Sequence, residues 1–506
     1  MKVSSCEGTR ELSVLRTRRI PEVLLHWAQA NRNGGWCGMG DASGPARRRY
    51  RKMAYRSWQD ATYGRALFPV CCGHGLVVGG GLVYPEINFT LPTMAVTASS
   101  LGEALAQFRG MTAACLERAA TLQVPGVVVE IEHVFEFTAH PEWGEALTAE
   151  VRAELDRFHA AHGIACALRV TVADIRDRVR PPRRRSGAEL EAMLESFRRC
   201  ASAGADILSI ESTGGKELSD PAIMACDLPA ILLAVGVLGS RDVAFLWPQI
   251  RTLAESHGRV AGGDTACAQA NTAMRLAGMG YVPEVFAALV RAVSAARSLT
   301  AFECGARGPG KDCGYEGVIT KLVTGMPVSL EGKTSACAHS SPMGNVTAAL
   351  ADLWSNESVQ NVRLLGGDAP VVLTEMLAYD CRLLNAAMAT GQAPLLRDLL
   401  VSSDAIHSPQ AFVLTPETAF AIGQAIVSAP QDVDPDYARA LRAAEVAAER
   451  MVVGPLQLSP REARWLDGFR RALDGLPKDA DALWQRLEGD YAGTVAMAEY
   501  APLGRG

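Results

Sequence analysis

Asp206-Ile207-Leu208-Ser209-Ile210-Glu211-Ser212-Thr213-Gly214-Gly215-Lys216-Glu217 reads as a short buried strand that hands a carboxylate to a glycine-bearing loop. Similar short apolar runs recur at 127–131, 167–172, 231–235, 260–262 and 299–302, with weaker ones at 328–330 and 362–365. Amphipathic stretches separate them. After Trp143, the residues Leu147, Val151, Leu155 and Phe158 fall on one helical stripe; after Ser186, Leu190, Met193, Leu194, Phe197 and Ala201 do the same. Strands alternating with helices build a parallel sheet from βαβ units. About eight such units over roughly 250 residues make an α/β chain of the (β/α)8 TIM-barrel type. The barrel is expected over 53–370, and an Ala- and Leu-rich helical region over 371–506. No GxGxxG follows the first run, which disfavours a dinucleotide-binding sheet.

Composition narrows the function. With 48% hydrophobic and 21% charged residues, the chain has the balance of a soluble globular enzyme. A formal net charge of -5 gives no bulk attraction to nucleic acid or anionic lipid. The uncharged run between Arg65 and Glu86 is broken by Pro69, Pro85 and five glycines, so no membrane span is expected there. Thirteen cysteines without a C-x-x-C pair point to reduced thiols and a cytoplasmic location. Residues 1–52 are rich in arginine (Arg16, Arg18, Arg19, Arg47, Arg48, Arg49) and poor in acids. They read as a transit peptide, or as a disordered extension or a misassigned start with Met53 the true beginning. The charge run Arg178, Arg180 and Arg183 to Arg185 reads as a solvated loop.

Barrel enzymes place their chemistry at the carboxyl ends of strands and in the following loops. There the chain offers Glu211, then Cys267 after Gly262-Gly263-Asp264, then Cys313 in Gly308-Pro309-Gly310-Lys311-Asp312-Cys313-Gly314-Tyr315. Two thiolates and a carboxylate suit zinc, and three protein ligands leave a fourth position open, as in catalytic sites. On residue types alone, cysteines at strand ends are also well explained as packed core residues, and both readings stay open. Glu130, Glu132, His133 and Arg169 could reach the mouth. Cys337-Ala338-His339 has ligand types but cannot close a site by itself. Lys216 could act as a Schiff-base lysine in an aldolase-like barrel.

These segments resemble the zinc subunit of methanol:corrinoid methyltransferases, collinearly from about Met53 to near the C-terminus. The resemblance is carried by Tyr84-Pro85-Glu86-Ile87-Asn88, Glu130-Ile131-Glu132-His133-Val134, Cys166-Ala167-Leu168-Arg169 and the Glu211–Glu217 stretch. It continues through Cys267-Ala268-Gln269-Ala270-Asn271, the 308–316 loop, Trp354-Ser355-Asn356-Glu357-Ser358 and Leu377-Ala378-Tyr379-Asp380-Cys381. It implies zinc on Glu211, Cys267 and Cys313. It implies transfer of the methyl group of methanol to the Co(I) corrinoid of a partner protein, leaving methyl-Co(III) and water. It also implies a homodimer within a hetero-oligomer. Loss of water needs a proton, and Asp264 and Asp312 beside the ligands are the candidates, either as the acid or as groups that orient a ligand. The competing expectations are another methyl donor such as a methoxylated compound, a metal-free lyase or aldolase, or a non-catalytic subunit of the same fold.

Overall fold

Alternate residues of a strand face opposite sides, so each barrel strand presents an inner and an outer row. The computed structural model describes residues 47–89, 94–332, 341–357, 362–432 and 434–502. A hairpin, β1 (Arg65–Cys72) and β2 (Leu76–Gly80), precedes the barrel strands β3 (Tyr84–Phe89), β4 (Gly126–Glu132), β5 (Ala165–Val172), β6 (Ile207–Ile210), β7 (Val260–Asp264), β8 (Ser329–Glu331) and β9 (Leu353–Glu357). β3 to β9 form one parallel sheet in the order β7-β6-β5-β4-β3-β9-β8. Residues 307–310 bridge its two edges. Arg307 N and Gly308 N donate to Ala261 O and Gly262 O, both at 2.8 Å, while Gly310 N donates to Pro327 O and Gly310 O accepts from Ser329 N. The wall therefore closes with eight segments in chain order, the (β/α)8 arrangement expected. The closing segment is irregular because Pro309 has no N–H to donate.

The inner rows are layered. At the amino-terminal end Tyr84, Val128, Ala167, Ile207 and Leu353 pack with Cys72, Leu76 and Val78 of the hairpin, which plugs the barrel floor. Two residues further along, the same strands turn Glu86, Arg169 and Ser209 inward. Arg169 Nε meets Glu86 Oε1 at 2.7 Å, both side chains fully buried, and Arg169 also donates to Ser209 Oγ and to Pro309 O of the closing segment. The outer rows, among them Val127, Val129, Ile131, Leu168, Val170, Leu208 and Ile210, join the main core under the helices. The two stripes noted above lie on the helices Pro141–His162 and Ala188–Ala203, where all of those residues are buried except the half-buried Leu194.

Several expected strands prove otherwise. Residues 231–235 lie in a helical stretch that passes through a π-helical segment, Leu232–Gly239, before the helix Ser240–Ser256. Residues 299–302 are the last turn of the helix Glu284–Glu303. Both stretches are apolar all round, so their sequence carries no period that separates helix from strand. Leu228–Ser256 and Glu284–Glu303 are apolar enough to cross a membrane, yet both are enclosed by protein. The helix Pro435–Val453 packs along Glu284–Glu303. Residues 362–365 contribute to a small antiparallel hairpin, Arg363–Leu364 with Gly367–Asp368, outside the barrel. The strands β3 and β9 lack a continuous apolar run in the sequence, because Glu86, Asn88 and Ser355 interrupt it.

The charge run is also corrected. Arg178, Arg180 and Arg183 are exposed, but Arg184 is fully buried, bonded to Glu217, Thr213 and Tyr500. Arg47 and Arg49, upstream of the expected start at Met53, ion-pair with Glu303 and Asp436, and Tyr50 N donates to Glu303. Residues 1–46 of the arginine-rich extension lie outside the described residues, as do Cys337, Ala338 and His339.

Candidate metal centre at the barrel mouth

Glu211 follows β6 directly. Cys267 opens the helix Cys267–Gly278 after β7, and Cys313 lies just beyond the closing segment. Three loops distant in sequence thus bring these side chains together: their ligand atoms all lie within 4.8 Å of one another. Cys313 Sγ is 2.8 Å from Glu211 Oε1. Close backbone approach makes this possible. A Cβ on Gly314 would lie 2.7 Å from Thr265 Oγ1, and one on Gly215 (φ +78°) would lie 2.1 Å from Ala234 O. Gly215 therefore seats the Glu211 loop against the π-helical segment, where the widened turn displaces backbone carbonyls.

The electrostatics favour a cation. A hydrogen bond from Cys313 pulls the Cys267 thiol down, but burial and the charges of Glu211 and Glu331 outweigh it and push the thiol up to about 12. Burial, then the Cys267 sulfur and Glu211, hold Cys313 well above the ordinary thiol range. Lys311 already lowers both thiols in part, and positive charge placed between them and the carboxylate would favour their ionised forms further. Two sulfurs and one oxygen match the ligand preferences of zinc.

Beneath the trio lies a second acidic group, Glu86, Glu130 and Asp312, all buried. Lys311 Nζ sits among these carboxylates, contacting Asp312 and Glu132, and lying 3.2 Å from Glu130 and 3.4 Å from Glu211. Burial opposes ionisation of Asp312, yet Lys311, Ser355 and Asn88 overcome it and hold the carboxyl at about 2. Burial and the neighbouring Asp312 push Glu130 well above its ordinary range.

Asp264 has a different setting. Oδ1 accepts from Ser212 N, Thr265 N and Arg297, and Oδ2 from Ser212 Oγ and Trp247 Nε1, at 2.7 to 3.1 Å. It laces the Glu211 loop to the Cys267 loop. His133 stays out of the mouth: its ring meets Thr138 and Cys200, and burial lowers it to about 3. Lys216 begins the helix Lys216–Ala225 and pairs with Asp220 at 2.6 Å on that same helix, so its ammonium is engaged there.

The methanol-cobalamin methyltransferase B subunit (MtaB) family matches residues 47–501. The chain belongs to this family. The methanol–corrinoid protein co-methyltransferase of Methanosarcina barkeri is 40% identical over 458 residues, 89% of this chain and 98% of that protein. The crystal structure of the methanol:cobalamin methyltransferase complex MtaBC from Methanosarcina barkeri matches with a TM-score of 0.85 at 38% identity, covering 90% of this chain and 99% of the matched chain. The MtaB-family match begins at Arg47, where the ion pairs to Glu303 and Asp436 begin.

In this MtaB-family chain, reading the sequence missed three supporting residues. Lys311 carries a visible signal, a lysine between glycine and aspartate in the loop that supplies Cys313. Asn271 lies one helical turn after Cys267, a spacing that places it on the same face. Arg291, on a helix buried along its length, gave no signal.

Proposed function

We propose that this MtaB-family methyltransferase holds one zinc ion on Glu211, Cys267 and Cys313, and transfers the methyl group of methanol to the corrinoid of a partner protein. The observation that carries the reading is the convergence of two sulfurs and a carboxylate oxygen from three separate loops at one end of the barrel. When bound there, zinc supplies Lewis acidity toward the C–O bond of methanol. The chain's own groups position and charge that site. Asp264, already receiving five hydrogen bonds, ties the Glu211 and Cys267 loops together and has no lone pair left to carry a transferable proton. Asp312 is ionised, and orients the backbone of Cys313 through its N–H at 2.8 Å. Both are thus assigned the orienting role, one of the two left open for them by the sequence. Lys311 keeps the buried carboxylates from repelling one another apart.

Two further assignments belong to this reading. Met376, Tyr379 and Leu383 form an exposed stripe on the helix Ala369–Ala389, beside exposed Leu395 and Leu399 on Ala393–Asp404, and this surface is the contact we assign to a homodimer. The barrel of 53–370 is assigned the chemistry and 371–506 the surrounding support. Ten free cysteines among the described residues support a cytoplasmic setting.

The test is metal analysis of the wild type and Cys267→Ala, with the methanol-dependent spectral change of reduced corrinoid protein. Zinc near one equivalent, lost in the variant together with methylation, is the expected result. Full zinc in a folded Cys267→Ala variant would refute the ligand set.

A further inference from the structure

Asn271 touches both cysteine loops with one amide nitrogen. Its Nδ2 is 3.1 Å from Cys267 Sγ and 3.1 Å from the main-chain oxygen of Cys313. The two hydrogens of that nitrogen thus serve the sulfur of one cysteine and the backbone of the other. An asparagine amide could in principle present its oxygen instead. Here that choice is made by Arg291, whose Nη2 lies 2.5 Å from Asn271 Oδ1. A guanidinium has only donors, so the face toward Arg291 must be the amide oxygen and the face toward Cys267 must be N–H.

Arg291 is itself fixed. It is about 1% exposed, pairs with Glu316 at 2.9 Å and lies over the Tyr315 ring at 5.2 Å. Glu316 in turn accepts from Ser298 Oγ, Thr265 Oγ1 and Ala266 N, the last two immediately before Cys267. The result is a buried relay, Glu316 to Arg291 to Asn271 to Cys267, that starts just after Cys313 and ends at Cys267, with Glu316 also holding the two residues before Cys267.

We propose that Asn271, oriented by Arg291, is a positioning residue that sets the donor strength of the Cys267 sulfur and the spacing of the two cysteines. An N–H donated to a thiolate draws charge from sulfur, so the sulfur gives less to any ion it binds and leaves that ion more electrophilic. The same amide holds the Cys313 backbone at a fixed distance from Cys267. This inference rests on the zinc reading above.

The experiment uses full-length protein loaded with Co(II) in place of zinc, and follows the thiolate-to-cobalt charge-transfer band. Zinc affinity is measured separately by chelator competition. Asn271→Ala removes the donor. Asn271→Asp keeps the shape and replaces the N–H by an acceptor. Both are expected to move the band to lower energy, because a sulfur relieved of its hydrogen bond gives up charge more readily. Both should also weaken zinc by roughly tenfold to a hundredfold, the usual effect of losing an outer-shell partner, because the lost hold on the Cys313 backbone outweighs the stronger donation from sulfur. Arg291→Lys, which keeps the charge beside Glu316 but not the fork, should shift the band in the same direction by less. A band and a zinc affinity unchanged in Asn271→Asp would overturn the inference while leaving the ligand set intact. A wild type with no thiolate band at all would overturn the zinc reading beneath it.

Discussion

Tyr500→Phe removes one oxygen that lies far along the chain from the metal trio yet braces its first loop. The Tyr500 hydroxyl accepts from Gly215 N at 2.9 Å and from Arg184 Nε at 3.0 Å, and donates to Glu217 Oε1 at 2.6 Å. Tyr500 and Gly215 are buried. In the variant Arg184 keeps Thr213 Oγ1 and Glu217 Oε2, so its loss is small. Gly215 N–H is left without this acceptor, at a cost of about 1–3 kcal/mol, and Glu217 loses a charge-assisted bond of about 1.5–3 kcal/mol. Together these span about 2.5–6 kcal/mol, centred near about 4 kcal/mol, and fall on the loop that follows Glu211. Because each 1.4 kcal/mol is a factor of ten, local opening near that centre should become roughly a hundredfold to a few thousandfold more frequent. Amide hydrogen exchange followed by mass spectrometry on peptides spanning 211–217 reads this directly, without requiring reversible unfolding of the whole chain. Zinc content at limiting metal should fall with it. Exchange in that peptide within about threefold of wild type would refute the claim that the C-terminal tyrosine holds the loop.

Gly215→Ala should cost about 2–5 kcal/mol, from a left-handed backbone and a Cβ forced to within 2.1 Å of Ala234 O, and should lower both the thermal midpoint and zinc retention; a variant with wild-type midpoint and metal would show that the loop can relax. Arg169→Met leaves Glu86 unpaired inside the barrel and should destabilise by about 3–5 kcal/mol, whereas Arg169→Met with Glu86→Leu should recover much of that; a double variant no more stable than the single one, in matched denaturation curves, would contradict the buried-pair account. His133 gives a pH signature. Burial lowers it to about 3 in the folded protein against about 6.5 when unfolded, so the unfolded chain binds the extra proton. Its share of stability is complete above pH 6.5 and falls by about 1.4 kcal/mol per unit as pH drops toward 3. The difference in stability between the wild type and His133→Phe should therefore change with that slope below pH 6.5, and a pH-independent difference would exclude a neutral buried imidazole.

The amino-acid order alone determined whatever depends on near neighbours. The helices Pro141–His162 and Ala188–Ala203 follow from their apolar stripes, and the placement of Glu211 and Cys267 at strand ends follows from the runs before them. Residue types at the ends of those runs offer Glu211, Cys267 and Cys313 as ligand candidates, and the resemblance carried by the motifs implies the same three. Tertiary structure decided the rest, because the deciding partners lie far away in the chain. The apolar run 231–235 became helix only by being enclosed on every side. β3 and β9 became strands although polar residues interrupt them, since the barrel interior pairs Glu86 with Arg169 and Ser355 with Asp312. The barrel closed through a Gly-Pro-Gly segment whose local sequence reads as a turn. Arg184, Lys311 and Arg291 lie buried because each finds a carboxylate in the fold; burial of an unpaired charge would be prohibitive, and no local sequence rule reveals whether a partner will be there.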